Sequence, residues 1–170
     1  MELKRIIEAV FFVANRPVTL KALYKKLEGC SRTDIGDALK ELINEYNYSD
    51  RALEIVEVSG GYQMRTKLDY KDWVKRFVKE KDVELTRAVL ETLAVIAYKQ
   101  PVAKREVDTI RGVDSSRAVK HLLERKLIEI AGRNEDAGKP IVFRTTDRFL
   151  EVYGLRSIED LPTTKELEAL

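Results

Sequence analysis

The chain has 170 residues, 44% apolar and 35% charged, with a formal net charge of +2. That apolar content excludes wholesale disorder, and the near balance of charge sets it apart from a dedicated, strongly basic nucleic-acid binder. One His and one Cys exclude a zinc site and an internal disulfide, so nothing calls for an oxidising compartment.

In chain order, Leu3, Ile6, Ile7, Val10 and Ala14 keep helical spacing, which predicts a first helix with one buried stripe. Phe11, Phe12 and Val13 widen that stripe nearly all round. Such a helix is covered on most sides, either by its own domain or additionally by a dimer partner, with Phe11 and Phe12 as the candidate dimer face. Pro17 ends it, and Thr19 caps a second helix up to Glu28-Gly29. Ser31 to Asp34 reads as a capping box, opening a third helix to about Tyr46 with Ile35, Ala38, Leu39, Leu42 and Ile43 inside. Leu53–Val58 and Tyr62–Thr66 read as strands joined at Gly60-Gly61. Tyr70, Trp73, Val74 and Phe77 form another helical stripe. The charge-dense segment 75–84 lacks Gly and Pro and reads as a short, stiff boundary.

Thr86 caps the next helix, whose apolar stripe is Val89, Leu90, Leu93, Ala94, Ile96 and Ala97. A short helix spans about Ala103 to Ile110, and Asp114 caps a further one ending near Lys126. Leu127–Ala131 and Ile141–Thr145 form a hairpin with a long wing, Gly132–Pro140. A last helix holds Phe149, Leu150 and Tyr153. The tail from 156 carries a local charge of −2 and leucines suited to docking or to remaining loose.

The order helix, Pro-Val turn, short helix, amphipathic helix, hairpin therefore occurs twice. Arg16-Pro17-Val18 answers Gln100-Pro101-Val102, and Met64-Arg65-Thr66 answers Phe143-Arg144-Thr145. This predicts a mainly α (α+β) chain of two tandem winged-helix domains, helix-turn-helix plus β-wing, at residues 1–82 and 83–155, with a tail at 156–170.

No constellation of acid, base or nucleophile appears, so the chain does not read as an enzyme, and no cofactor or metal is expected. Cys30 and His121 lie in different repeats, and His121, beside Leu122, reads as structural. Gly138-Lys139 fails as a phosphate loop, because Arg133 stands where a glycine is needed and Pro140 where Ser or Thr would be. The first recognition-type helix carries Asp34, Asp37, Glu41 and Glu45, which phosphates repel. In the second repeat Arg117 and Lys120, with Arg133 and Lys139 on the wing, leave room for a weak, salt-sensitive duplex contact. A DNA-binding winged-helix regulator is thus the alternative reading. Glu8 interrupts the apolar start, and no apolar run approaches the ~20 residues a bilayer needs, so a soluble cytoplasmic protein is expected.

The segments LETLAVIAYKQPV (90–102), IRGVDS (110–115), LLERKLIEIAGR (122–133) and GKPIVFRTTDRFLEVYGL (138–155) resemble, in order and spacing, bacterial segregation and condensation protein B. The first repeat fits that family more loosely, through Ile6–Ala14, Pro17-Val18 and Gly60-Gly61-Tyr62. The resemblance implies a nucleoid-associated, non-catalytic homodimer joined through its N-terminal domains. It also implies that the C-terminal domains hold a kleisin, segregation and condensation protein A, and through it an SMC ATPase. It places Tyr98, Gln100, Pro101, Arg105, Arg111 and Gly112 in the second-domain signature, as candidates for the kleisin surface.

Overall fold

Helical spacing decides which side of the first helix is inside. In the computed structural model, which describes residues 2–78, 85–134 and 138–167, α1 spans Leu3–Val13. Ile7 and Phe11, one turn apart, are 0% and 2% exposed, whereas Phe12 is 77% exposed and Val13 74%. Phe11 is therefore a core residue of its own domain and not part of an outward face; only Phe12 of the candidate pair can meet a partner.

Thr19 and Ser31 accept N–H groups of Ala22 (3.1 Å) and Asp34 (3.0 Å) and so start α2 (Leu20–Lys26) and α3 (Arg32–Asn47). Ile35, Leu39, Leu42 and Tyr46 carry the buried stripe of α3 against Ile7, Phe11 and Leu23. Each such apolar side chain contributes roughly 1.5–3 kcal/mol by leaving water. β1 (Leu53–Val58) and β2 (Gly61–Thr66) pair antiparallel, closing this core with Ile55.

The hairpin turn lies one residue earlier than the Gly-Gly pair suggests. Ser59 (φ 50°) and Gly60 (φ 66°) are its two left-handed residues, the pattern of a type I′ turn. Gly61 serves a different need. Val18 and Tyr62 exchange backbone bonds at 2.8 and 3.0 Å, which brings Val18 so close that a Cβ on Gly61 would sit 3.0 Å from its carbonyl carbon and oxygen. The outer edge of β1 is closed by Asn47, whose amide donates to the Ile55 carbonyl (2.9 Å) and whose oxygen accepts its N–H (2.8 Å). A 3₁₀ turn (Leu68–Tyr70) and α4 (Lys71–Lys75) follow. The predicted boundary segment lies outside the described residues beyond 78.

The second unit repeats the order. α5 (Arg87–Lys99) buries Val89, Leu93, Ile96 and Ala97. Leu90 and Ala94, expected in that stripe, are exposed, because positions one residue on are turned about 100° around the helix. Thr86 occupies the N-cap position, but its hydroxyl accepts no capping bond. Val102–Ala103 is a short strand, β3, where a helix start was expected; it pairs with β5 (Ile141–Thr145). β5 in turn pairs with β4 (Ile128–Arg133), giving the sheet order β3-β5-β4 with a bulge between Ile130 and Gly132. α6 (Lys104–Arg111) ends on Gly112 at φ 69°, and α7 spans Ser116–Glu124. The residue at the N-cap of α7 is Ser115, not Asp114, although the Asp114 carboxylate still accepts the Ser116 hydroxyl at 2.7 Å. α8 (Asp147–Tyr153) starts at Thr146 and drives Phe149 into the core. The wing tip at 135–137 lies outside the described residues.

The chain thus forms a mixed α/β structure of helices and two small sheets, in two units: 1–81 with 155–160, and 82–154 with 161–170. Residues 155–160, expected to belong to the tail and domain end, group with the first unit. There the Leu155 and Arg156 carbonyls accept the N–H groups of Ser59 (2.9 Å) and Gly60 (3.0 Å), and Arg156 closes onto Asp160 at 2.8 Å. A final short helix, α9, spans Thr164–Leu167.

Candidate functional site

The signature residues of the second unit divide into side chains that build the domain and side chains that face outward. Arg111 builds. Its guanidinium donates to the Ala88 carbonyl at 2.6 Å, to the Thr92 hydroxyl, and to Glu91 at 2.8 Å, and its side chain is 13% exposed. It fastens the end of α6 onto α5. Gly112 supplies the left-handed residue that stops α6 there. Gln100 also builds: its amide oxygen accepts the Thr145 N–H (2.6 Å) and hydroxyl (2.9 Å), tying the end of α5 to β5. Pro101 follows it through a cis peptide and is exposed.

Tyr98 and Arg105 face outward. Tyr98 is 47% exposed, and its hydroxyl donates to the Pro162 carbonyl at 2.7 Å. Leu90 (44% exposed) and Ala94 precede it at four-residue steps, so three apolar residues line one outer face of α5. Sequence reasoning folded Leu90 and Ala94 into the core stripe. The separating signal was available: Val89, Leu93, Ile96 and Ala97 form a complete stripe without them. Ile110 and Val113, at the end of α6 and just after it, are also more than half exposed.

The loop between α6 and α7 is fixed by charge. Lys104 bonds both Asp108 (2.7 Å) and Asp114 (2.6 Å), and Asp108 also accepts the Ser115 N–H (2.8 Å) and hydroxyl (2.5 Å). Lys104 and then Ser115 hold the Asp108 carboxyl down to about 2. Asp114 is lowered chiefly by Lys104 and then Ser116. These bonds serve the scaffold, and His121 behaves likewise, its Nε2 accepting from Arg125 at 2.7 Å.

The cations considered for a duplex fall in two pairs, one on α7 and one on the wing. Arg117 and Lys120 are exposed, with Lys120 3.9 Å from Glu124, and Arg133 and Lys139 are exposed on the wing, where Arg133 donates to the Lys139 carbonyl at 3.1 Å. In the first unit, Phe12 and Val13 project from the end of α1, while Cys30 is exposed in a loop. Among the described residues, no cluster of three His, Cys, Asp or Glu could hold a metal ion, and no helix is long and apolar enough to cross a membrane.

Comparison with known proteins agrees with the sequence signature. A family model described as segregation and condensation complex subunit ScpB matches residues 5–164. Segregation and condensation protein B of Syntrophotalea carbinolica is 42% identical over 170 residues, covering all of this chain and 86% of the relative. That of Clostridioides difficile is 40% identical over 163 residues, covering 95% of this chain and 91% of the relative. The crystal structure of ScpB from Mycobacterium tuberculosis shares 35% identity over 91% of this chain and 96% of that one, with a TM-score of 0.43.

Proposed function

The chain belongs to the segregation and condensation protein B family, and from that premise we propose that it is a non-enzymatic scaffold subunit of a bacterial SMC–kleisin complex, acting in chromosome condensation and segregation. Each unit is, on this reading, a winged-helix module put to protein binding. The first forms a homodimer, with Phe12 in the contact. The second holds the kleisin, segregation and condensation protein A, and through it the SMC ATPase, in the cytoplasm and on the nucleoid.

The observation that carries this is the outer face of α5. Leu90, Ala94 and Tyr98 make an apolar stripe on a unit whose own core is already complete, and Ile110 and Val113 of the same unit are also exposed. A stripe at that spacing suits an amphipathic helix of the partner. Arg111, Gly112 and Gln100 act by holding α6 and β5 against α5, and Pro101 and Arg105 are exposed on the same unit. The mechanism is mechanical: ordering a long kleisin segment costs conformational entropy, so several modest contacts on two protomers must act together, and the ordered segment sets the spacing of the ATPase heads.

The experiment is co-purification with the kleisin encoded in the same genome. Wild type should retain it on a column, and Leu90→Asp with Tyr98→Ala should release it while circular dichroism stays native. Failure of the wild-type chain to retain the kleisin would overturn the reading. Direct duplex contact is a secondary expectation, confined to Arg117, Lys120, Arg133 and Lys139 and lost at moderate salt.

A further inference from the structure

We propose that Phe12 of one protomer inserts into the groove between α2 and α3 of its partner, so that the dimer is a reciprocal knob-and-groove exchange. This rests on the homodimer reading above and specifies the receptor it leaves open. The groove, of about 320 Å³, is lined by the apolar Leu20, Tyr24, Ile43 and Tyr62, with Gly36, Asp37 and Lys40 beside them and the Arg32 guanidinium 5.4 Å over the Tyr24 ring. That is the low end of the ~300–1,000 Å³ typical of small-molecule sites, a size for side chains.

Gly36 is the informative residue. It sits in the interior of the sixteen-residue α3, where glycine is the costliest residue short of proline. Its backbone is helical, so no left-handed conformation calls for glycine, and a Cβ there would meet nothing within 4 Å. Among the described residues, nothing packs into the space a side chain there would take. What the gap does is leave the groove open between Tyr24 and Ile43.

A matching knob is on the same unit. Phe12 and Val13 are among its most exposed apolar side chains, and only the turn from Ala14 to Thr19 separates them from Leu20 on the groove wall. Knob and groove therefore lie within one turn of each other along the chain. A twofold axis then uses both twice, residue i on j and j on i, which gives a closed dimer and no open chain of copies. One opposite-charge pair is available to fix the register: Arg16, three residues beyond α1, and Asp37 of the groove lining are both exposed and form no ion pair among the described residues, although Arg32 and Lys40 line the same groove.

The test is the oligomeric state of the full chain by sedimentation equilibrium. Phe12→Asp should raise the dimer dissociation constant roughly 30-fold or more, as for an interface hot spot. Gly36→Met should weaken the dimer about 10-fold or more by filling the receptor. In the monomeric Phe12→Asp background the same change should leave the thermal midpoint unchanged or raised, because methionine favours helix over glycine. A purely structural role for Gly36 predicts the opposite signs. Arg16→Asp and Asp37→Arg should each weaken association, and together restore it. A wild-type chain that is monomeric would overturn the homodimer reading and this inference together. A dimer broken by Phe12→Asp but untouched by Gly36→Met would overturn the receptor assignment alone.

Discussion

Arg111 offers the most direct separation of scaffold from contact surface, through Arg111→Met. The change keeps most of the aliphatic stem and removes the guanidinium. Three interactions go: the bond to the Ala88 carbonyl at 2.6 Å, that to the Thr92 hydroxyl, and the pair with Glu91 at 2.8 Å. The Thr92 hydroxyl is fully buried but keeps its own bond to the Ala88 carbonyl at 2.9 Å, so no buried polar atom is orphaned. Glu91 is about half exposed, which limits its share to below ~1 kcal/mol. The other two bonds are charge-assisted and each worth up to ~1.5–3 kcal/mol, less what the guanidinium regains when no longer desolvated. The expected cost is about 2 kcal/mol, confined to the hold of α6 on α5. Native-state hydrogen exchange should then show protection of the Val107–Arg111 amides falling about 30-fold. Arg111→Lys should recover only part, because an ammonium cannot fork between Ala88 and Glu91. Unchanged protection in α6 together with lost kleisin binding would refute this reasoning and make Arg111 a contact residue.

Other expectations follow from the same geometry. Phe11→Ala should cost about 3–5 kcal/mol in urea unfolding followed by circular dichroism, whereas Phe12→Ala should leave the stability of the monomer unchanged within ~0.5 kcal/mol. Gly61→Ala should cost about 1–3 kcal/mol, because its Cβ meets backbone atoms of Val18 that cannot rotate away. Asp108, lowered from 3.8 to about 2, contributes stability that is present above the ordinary carboxylate range and lost as pH falls through about 2. Its carboxyl resonance should titrate near pH 2 in wild type and shift upward in Lys104→Met.

Much of this architecture was legible because it depends on local rules. Thr19 and Ser31 cap as their positions suggest, the α3 stripe keeps its 3.6-residue period, and Gly112 ends its helix left-handed. The misreadings share a cause, which is that a neighbour distant in sequence decides the outcome. Val18 closes over Gly61 and so moves the turn to Ser59-Gly60. Phe143 and Val142 capture Val102 and Ala103 as a strand. The tail segment from Leu155 finds the Ser59-Gly60 turn, which no periodicity announces. In the candidate site the residue types were identifiable but their direction was not. Arg111 and Gln100 look like surface groups in a list and prove to be internal ties, while Leu90 looks like core and lies outside.

The central proposal is that these two units, read as winged-helix modules, grip a polypeptide and do not read DNA. Calorimetric titration of the purified chain with the purified kleisin, alongside a panel of short duplexes at 150 mM salt, puts it to the test most directly. The account predicts saturable kleisin binding that Leu90→Asp abolishes, and duplex binding that is weak and indifferent to sequence. Tight, sequence-selective duplex binding with no heat from the kleisin would contradict it.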